Sequence, residues 1–165
     1  VPSRGLIGLR SNMLTATAGE AVMAHRFSEY KPWKGPIPGR SNGVLLSKNT
    51  ATTTGYSMDK LQDRGSFFID AGEEVYSGQI IGEHIKPGDL IVNATEPKKL
   101  TNMRASGTDD ANRIAPKIQM SLEECMEYIQ QDECIEITPQ SIRLRKIMLD
   151  ENDRARFQKM LKAEA

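Results

Sequence analysis

The sequence predicts an α+β chain in two parts, a helix and strand that close one α/β module and a second, mainly β module with a few helices. Three observations carry this. Leu6, Leu9, Met13 and Leu14 recur at helical spacing near the start. Pro32-Trp33-Lys34-Gly35-Pro36-Ile37-Pro38 then forms a break that suits neither a helix nor a central strand. Beyond it, short apolar runs recur between turn signals.

The elements follow in order. Arg4 to Gly19 reads as a helix with Gly19 as its C-terminal stop, and Glu20 to Tyr30 as a strand with mixed faces. After the break, Gly43 to Ser47 and Ala51 to Tyr56 form an expected hairpin across Lys48-Asn49-Thr50. Ser57 to Asp63 is a short helix ending at Gly65, and Ser66 to Ile69 a strand closed by the turn Asp70-Ala71-Gly72. Gln79 to Ile85 and Asp89 to Ala94 flank Lys86-Pro87-Gly88, a reverse-turn sequence. Ser121-Leu122-Glu123-Glu124 is a capping box, launching a helix with Leu122, Cys125, Met126 and Ile129 on one face. Cys134 to Thr138 and Ser141 to Arg145 alternate at period two, and Asp150 to Ala165 is a terminal helix.

Composition narrows the function classes. Lys and Arg balance Asp and Glu, so formal net charge is zero and any nucleic-acid contact must rest on local segregation of charge. Cys125 and Cys134 are too few for a disulfide framework, do not form a C-x-x-C metal motif, and fit a reducing, cytoplasmic setting. No apolar run approaches the roughly 20 residues of a membrane-spanning helix. The opening Val1-Pro2 reads as an internal start, as in a piece of a longer protein.

No nucleotide-binding or catalytic motif stands out. A G-x-x-x-x-G-K-[ST] loop is missing, as is a G-x-S-x-G elbow, and the prolines of 35–43 sit where a phosphate loop needs backbone donors. His25 and His84 have no carboxylate partner that spacing identifies, and read as structural or surface residues. Cys125 reads as core. Glu123, Glu124, Glu127, Asp132 and Glu133 lack the spacing of a calcium loop and read as a solvated acidic face. No catalysis, metal, cofactor or small-molecule substrate is expected of this chain.

The basic features point elsewhere. Between Asp89–Thr95 and the Ser121 helix lie about 25 residues with little to bury, longer than the roughly 12–15 that a compact domain carries without cause. This expected flexible loop, about 95–118, offers Lys98, Lys99, Arg104, Arg113 and Lys117 beside Thr101, Asn102, Met103, Ser106 and Thr108. Cations with small hydrogen-bonding side chains suit a phosphate-rich single strand. Arg143, Arg145 and Lys146 form a second basic stripe, expected on the outer face of a strand. Lys31, Lys34 and Arg40 punctuate the break around Trp33, which either stacks on a base or packs at the module interface; packing is the preferred reading.

Three blocks carry a resemblance: Pro2-Ser3-Arg4-Gly5-Leu6-Ile7-Gly8-Leu9-Arg10-Ser11, Leu61-Gln62-Asp63-Arg64-Gly65 and the stretch from Lys98 through Asp109. Together, and in this order, they resemble the BipA/TypA family of bacterial translational GTPases over essentially the whole chain. The resemblance implies that residues 1–32 are the last helix and strand of a ferredoxin-like domain, similar to the fifth domain of elongation factor G. Phe27-Ser28-Glu29-Tyr30 matches the short Phe–Tyr pattern that ends that segment there. It implies that residues 33–165 are the family-specific C-terminal domain, and that GTP and Mg belong to a domain upstream. It further implies ribosome binding, with the 98–117 loop reaching ribosomal RNA and the acceptor end of A-site tRNA, in translation regulation or large-subunit assembly. The terminal helix departs from the family's often basic tail, because Glu151, Asp153 and Glu164 balance Arg154, Arg156, Lys159 and Lys162. The rival expectation is a protein-interaction module without RNA contact.

Overall fold

A run such as Val44-Leu45-Leu46, apolar at successive positions, is stable as a strand only where both of its faces are covered. In the computed structural model β1 (Val44–Ser47) meets that condition and is buried at every position. The structure describes residues 1–6, 8–33, 35, 40–98 and 114–164; the side chains at 11, 12, 158 and 161–164 lie outside that description. The elements that follow are β2 (Ala51–Thr52), α2 (Gly55–Leu61), β3 (Gly65–Phe67), β4 (Glu74–Val75), β5 (Gln79–His84) and β6 (Leu90–Val92). They continue with α3 (Leu122–Tyr128), β7 (Glu133–Ile137), β8 (Ile142–Lys146) and α4 (Glu151–Glu164). Before them, α1 (Leu9–Ala16) follows a 3-10 turn at Ser3–Leu6. The fold class is α+β.

Six strands form one mixed sheet in the order β6-β1-β5-β8-β7, with β3 also paired to β5. β5 is its organising strand. One edge takes β1, while the other is divided between β3, at Gly82–His84, and β8, at Gln79 and Ile80. Side chains alternate across this sheet and build two cores. On one face Leu45, Ile81, Phe67 and Val92 pack with Met58 of α2. On the other, Val44, Leu46, Ile80 and Leu144 pack with Cys125 of α3. The two short helices thus cover opposite faces, which is why β1 reads as an unbroken apolar run.

Two expected pairings are corrected. β1 and Ala51–Thr52 do not form a hairpin, because β1 lies between β5 and β6 while β2 pairs with β4 in a separate ribbon. The turn after β5 likewise does not fold β6 onto β5. It carries the chain across the start of β1, so that β6 lies parallel to β1 on its far side. Gly43 makes that crossing feasible. A Cβ there would sit 1.9 Å from the Gly88 carbonyl oxygen, while its N–H donates to the Lys86 carbonyl at 3.0 Å.

The expected strand over Glu20–Tyr30 is also corrected. Residues 20–33 pair with no strand among the described residues, and Val22, Phe27 and Tyr30 are exposed. An extended segment becomes a strand only when another backbone meets its N–H and C=O groups. α1 ends as read, with the Gly19 N–H donating to the Leu14 carbonyl at 2.7 Å. Trp33 does not pack as expected: it is 72 % exposed, with only the Arg4 guanidinium 3.3 Å from the centre of its ring. The capping box at Ser121 is formed from both sides, and its backbone hydrogen bond to Glu124 holds that carboxyl below its ordinary pKa.

Candidate nucleic-acid interface

The long connection between β6 and α3 leaves beside the start of α2 and returns beside its end and β3. Its departing arm is held by Thr54 and Ser57, which begin that helix. The Thr54 N–H and the Ser57 hydroxyl both donate to the Ala94 carbonyl, at 3.0 and 2.5 Å, and the Thr54 hydroxyl donates to the Glu96 carbonyl at 2.6 Å. The returning arm is held by Gln62, which caps the other end of the helix, and by β3. The Ala115 N–H donates to Gln62 Oε1 at 3.4 Å, and the Ile118 N–H to the Phe67 carbonyl at 2.8 Å. Ile114 packs against the α2-side core. The two loop arms are therefore held at the two ends of α2 and at β3.

Lys98 stands exposed at the departing arm. The sequence-predicted contacts Lys99, Thr101, Asn102, Met103, Arg104, Ser106, Thr108 and Arg113 lie outside the described residues. Lys117, on the returning arm, sits 2.7 Å from both Asp70 and Glu73. Hydrogen bonds to those carboxylates raise its pKa. Its charge is already balanced within the domain.

Sequence reasoning missed two residues on the outer side of α2. Lys60 Nζ lies 4.1 Å from the centre of the Tyr56 ring, and that neighbour raises its pKa. The signal was an aromatic followed four residues later by a cation, a pair that meets on one helix face. The strand expected over Ala51–Tyr56 stops at Thr52, and Tyr56 lies in α2. An aromatic ring and an exposed cation beside the loop base are the chemistry that stacks a base and meets a phosphate.

The second basic stripe divides. Arg143 and Arg145 share one face of β8 and lie 3.8 and 3.9 Å from Glu136, which also accepts the Tyr76 hydroxyl at 2.5 Å. Burial first, then this hydrogen bond, raises the Tyr76 pKa. Lys146 does not belong with them. Period two turns it to Leu144's face, where it is 2 % exposed and directly opposite Glu133 on β7. Its ammonium contacts Asp89 at 2.6 Å, Asp132 at 2.7 Å and Glu133 at 2.9 Å. No phosphate can reach it.

That lysine belongs to a buried ionic knot. Glu133 also receives Arg40 through both carboxylate oxygens, at 2.8 Å on Oε2 with a second, shorter bond on Oε1. Arg40 donates further to the Asn42 and Tyr128 carbonyls, each at 3.0 Å, and lies over the Tyr128 ring. Burial alone would raise the Glu133 carboxyl pKa, but hydrogen bonds from Arg40, Lys146 and the Gln130 N–H outweigh it and hold it low. Burial would lower Lys146, yet Asp132, Asp89 and Glu133 outweigh it and raise its pKa. Glu133 is thus removed from the expected solvated acidic face, and Arg40 is a structural clamp.

Among the described residues no group of three or more His, Cys, Asp or Glu is arranged to hold a metal ion, and no helix is long and apolar enough to cross a membrane.

Residues 42–151 match the model of the TypA/BipA C-terminal domain. The chain is 51 % identical to the large ribosomal subunit assembly factor BipA of Haemophilus influenzae over 157 residues, covering 94 % of this chain and 26 % of that protein. It is 49 % identical to the protein of the same name from Salmonella typhimurium over 99 % of this chain, and 43 % identical to that from Bacillus subtilis over 98 %. In each case it spans about a quarter of the relative's length. By this match over two thirds of its length and these identities, the chain belongs to the TypA/BipA family.

Proposed function

We propose that this chain is the non-catalytic, RNA-reading part of a ribosome-associated translational GTPase acting in the cytoplasm. Its relatives carry the name large ribosomal subunit assembly factor, which supports a role on the ribosome. The observation that carries the finer reading is the anchoring of both flanks of the 98–117 stretch, one to the start of α2 and the other to Gln62 and β3. A cationic segment whose two ends are fixed to the folded body can be aimed, and it begins beside the half-buried Tyr56 ring and the exposed Lys60.

In this reading Lys98, Lys99, Arg104 and Arg113 neutralise phosphates of ribosomal RNA or of the A-site tRNA acceptor end. Thr101, Asn102, Met103, Ser106 and Thr108 meet sugars and base edges. Arg143 and Arg145 add a weaker contact, softened by Glu136. GTP and Mg belong to the upstream part of the full-length protein, and this chain supplies orientation on the particle.

The experiment is ribosome binding by the full-length protein with Lys98, Lys99 and Arg104 replaced by Ala, measured across a salt series. Each lost phosphate contact lowers the slope of log affinity against log salt by about 0.7–0.9. Unchanged affinity with an unchanged slope would refute the electrostatic role.

A further inference from the structure

β3 and β8 share one edge of β5, and a cleft of about 480 Å³ opens where they part. Residues 117–120, which continue the returning loop arm, form one wall, and 138–144, the β7–β8 turn and the start of β8, form the other. Its volume lies in the range of about 300–1,000 Å³ that receives a small ligand. Phe68 and Leu144 line it, and Ile118 and Ile142, on opposite walls, remain 44 % and 40 % exposed.

Gln79 lines the same cleft and is only 3 % exposed. Its Oε1 accepts the Tyr76 N–H at 3.1 Å, which fixes the orientation of the carboxamide, because the amide nitrogen can only donate. That nitrogen, Nε2, donates to no group among the described residues. A donor held at a cleft wall without a protein acceptor is one that a ligand can satisfy. Glu73, also at the cleft, has its charge met by Lys117 at 2.7 Å.

We propose that the cleft receives one unstacked base of a bound RNA, with its faces between Ile118 and Ile142 and a carbonyl oxygen or ring nitrogen on the Gln79 amide. This rests on the RNA-reading role proposed for the 98–117 stretch and adds to it a site for a base rather than for phosphates. Position favours RNA over a protein segment. One wall continues the cationic stretch and the other bears Arg143, so a strand that meets both crosses the mouth between them. Every base presents apolar faces and an acceptor on its edge, and apolar side chains can sandwich an extruded base as aromatic ones do.

The test measures binding of short oligo(U), oligo(A) and oligo(C), and of an abasic ribose-phosphate chain of the same length, to the full-length protein. The abasic chain keeps the phosphates and lacks the bases. At least one oligomer should bind at least about tenfold more tightly than the abasic chain, with a similar salt slope. Gln79→Glu keeps an oxygen for the Tyr76 N–H but replaces the donor with an acceptor, and Ile142→Ser removes an apolar wall at an exposed position. Each should shrink the preference to within about threefold, with thermal unfolding confirming a folded domain. The matching free nucleoside should erode the preference, and N-acetyl-leucinamide at equal concentration should not. Equal binding of base-bearing and abasic chains overturns the proposal, as does a preference that survives in both variants. Erosion by N-acetyl-leucinamide but not by the nucleoside would also overturn it and give the cleft to a protein segment. Equal binding with the salt slope retained leaves the phosphate contacts of the stretch standing, whereas loss of all RNA binding removes both readings.

Discussion

Lys146 and Lys98 were equal in the sequence, each a cation in a basic run, and the fold gives them opposite roles. Lys146 is enclosed by three carboxylates on the inner face of β8, while Lys98 stands exposed where β6 gives way to the long connection. A buried cation is tolerable only with its charge and donors met. One on the surface is free to meet a ligand. Enclosure, not count, separates a structural charge from a binding one.

The largest expected effect lies on the buried side. Glu133→Ala leaves Arg40 and Lys146 without their shared partner in the interior and should cost about 3–5 kcal/mol, read from urea unfolding. Adding Arg40→Met should recover part of the loss, since the uncompensated guanidinium goes with it. If Glu133→Ala costs no more than an exposed pair, under about 1 kcal/mol, the contrast between the two regions fails.

The same contrast predicts a pH profile. Glu133 has a folded pKa below its ordinary 4.5, so its contribution is present above that value and is lost as pH falls through the folded pKa. Lys146 has a folded pKa above its ordinary 10.5, so its contribution is present below that value and is lost as pH rises through the folded pKa. Stability from the knot should therefore form a plateau between these limits and decline outside both. In Glu133→Gln the acid decline should shrink, because the group that titrates is gone. An unaltered acid limb in that variant would assign it to other carboxylates.

Much of this fold was legible in the sequence. The capping box at Ser121, the α2 helix, the β7–β8 pair and the terminal helix follow from local signals, because their determinants lie within a few residues of each other. What failed was non-local. Nothing near β1 says that its neighbours are β5 and β6 rather than β2, because a buried strand's pairing is set by which distant strands cover its edges. Glu133 shows the same limit for the site. As one of five neighbouring acids it looked solvated, and only its register against Lys146 and the approach of Arg40, 93 positions away, bury it. Lys146 was more accessible to reasoning, since period two from Leu144 already turns it inward. The 98–117 stretch was visible through length and composition, whereas the anchoring of its flanks by α2, Gln62 and β3 was not.

Lys117 gives the smallest effect and the sharpest comparison, because it lies between the two extremes. It is a third exposed and paired with two carboxylates that are themselves largely exposed. Lys117→Ala should therefore cost under about 1 kcal/mol of stability. On the ribosome, Lys98→Ala should lower the salt slope by about 0.7–0.9, and Lys117→Ala by distinctly less, since its ammonium already has counter-charges. If the two variants shift the slope equally, Asp70 and Glu73 give up their lysine when RNA arrives. Pairing inside the free domain would then no longer tell a structural cation from a binding one.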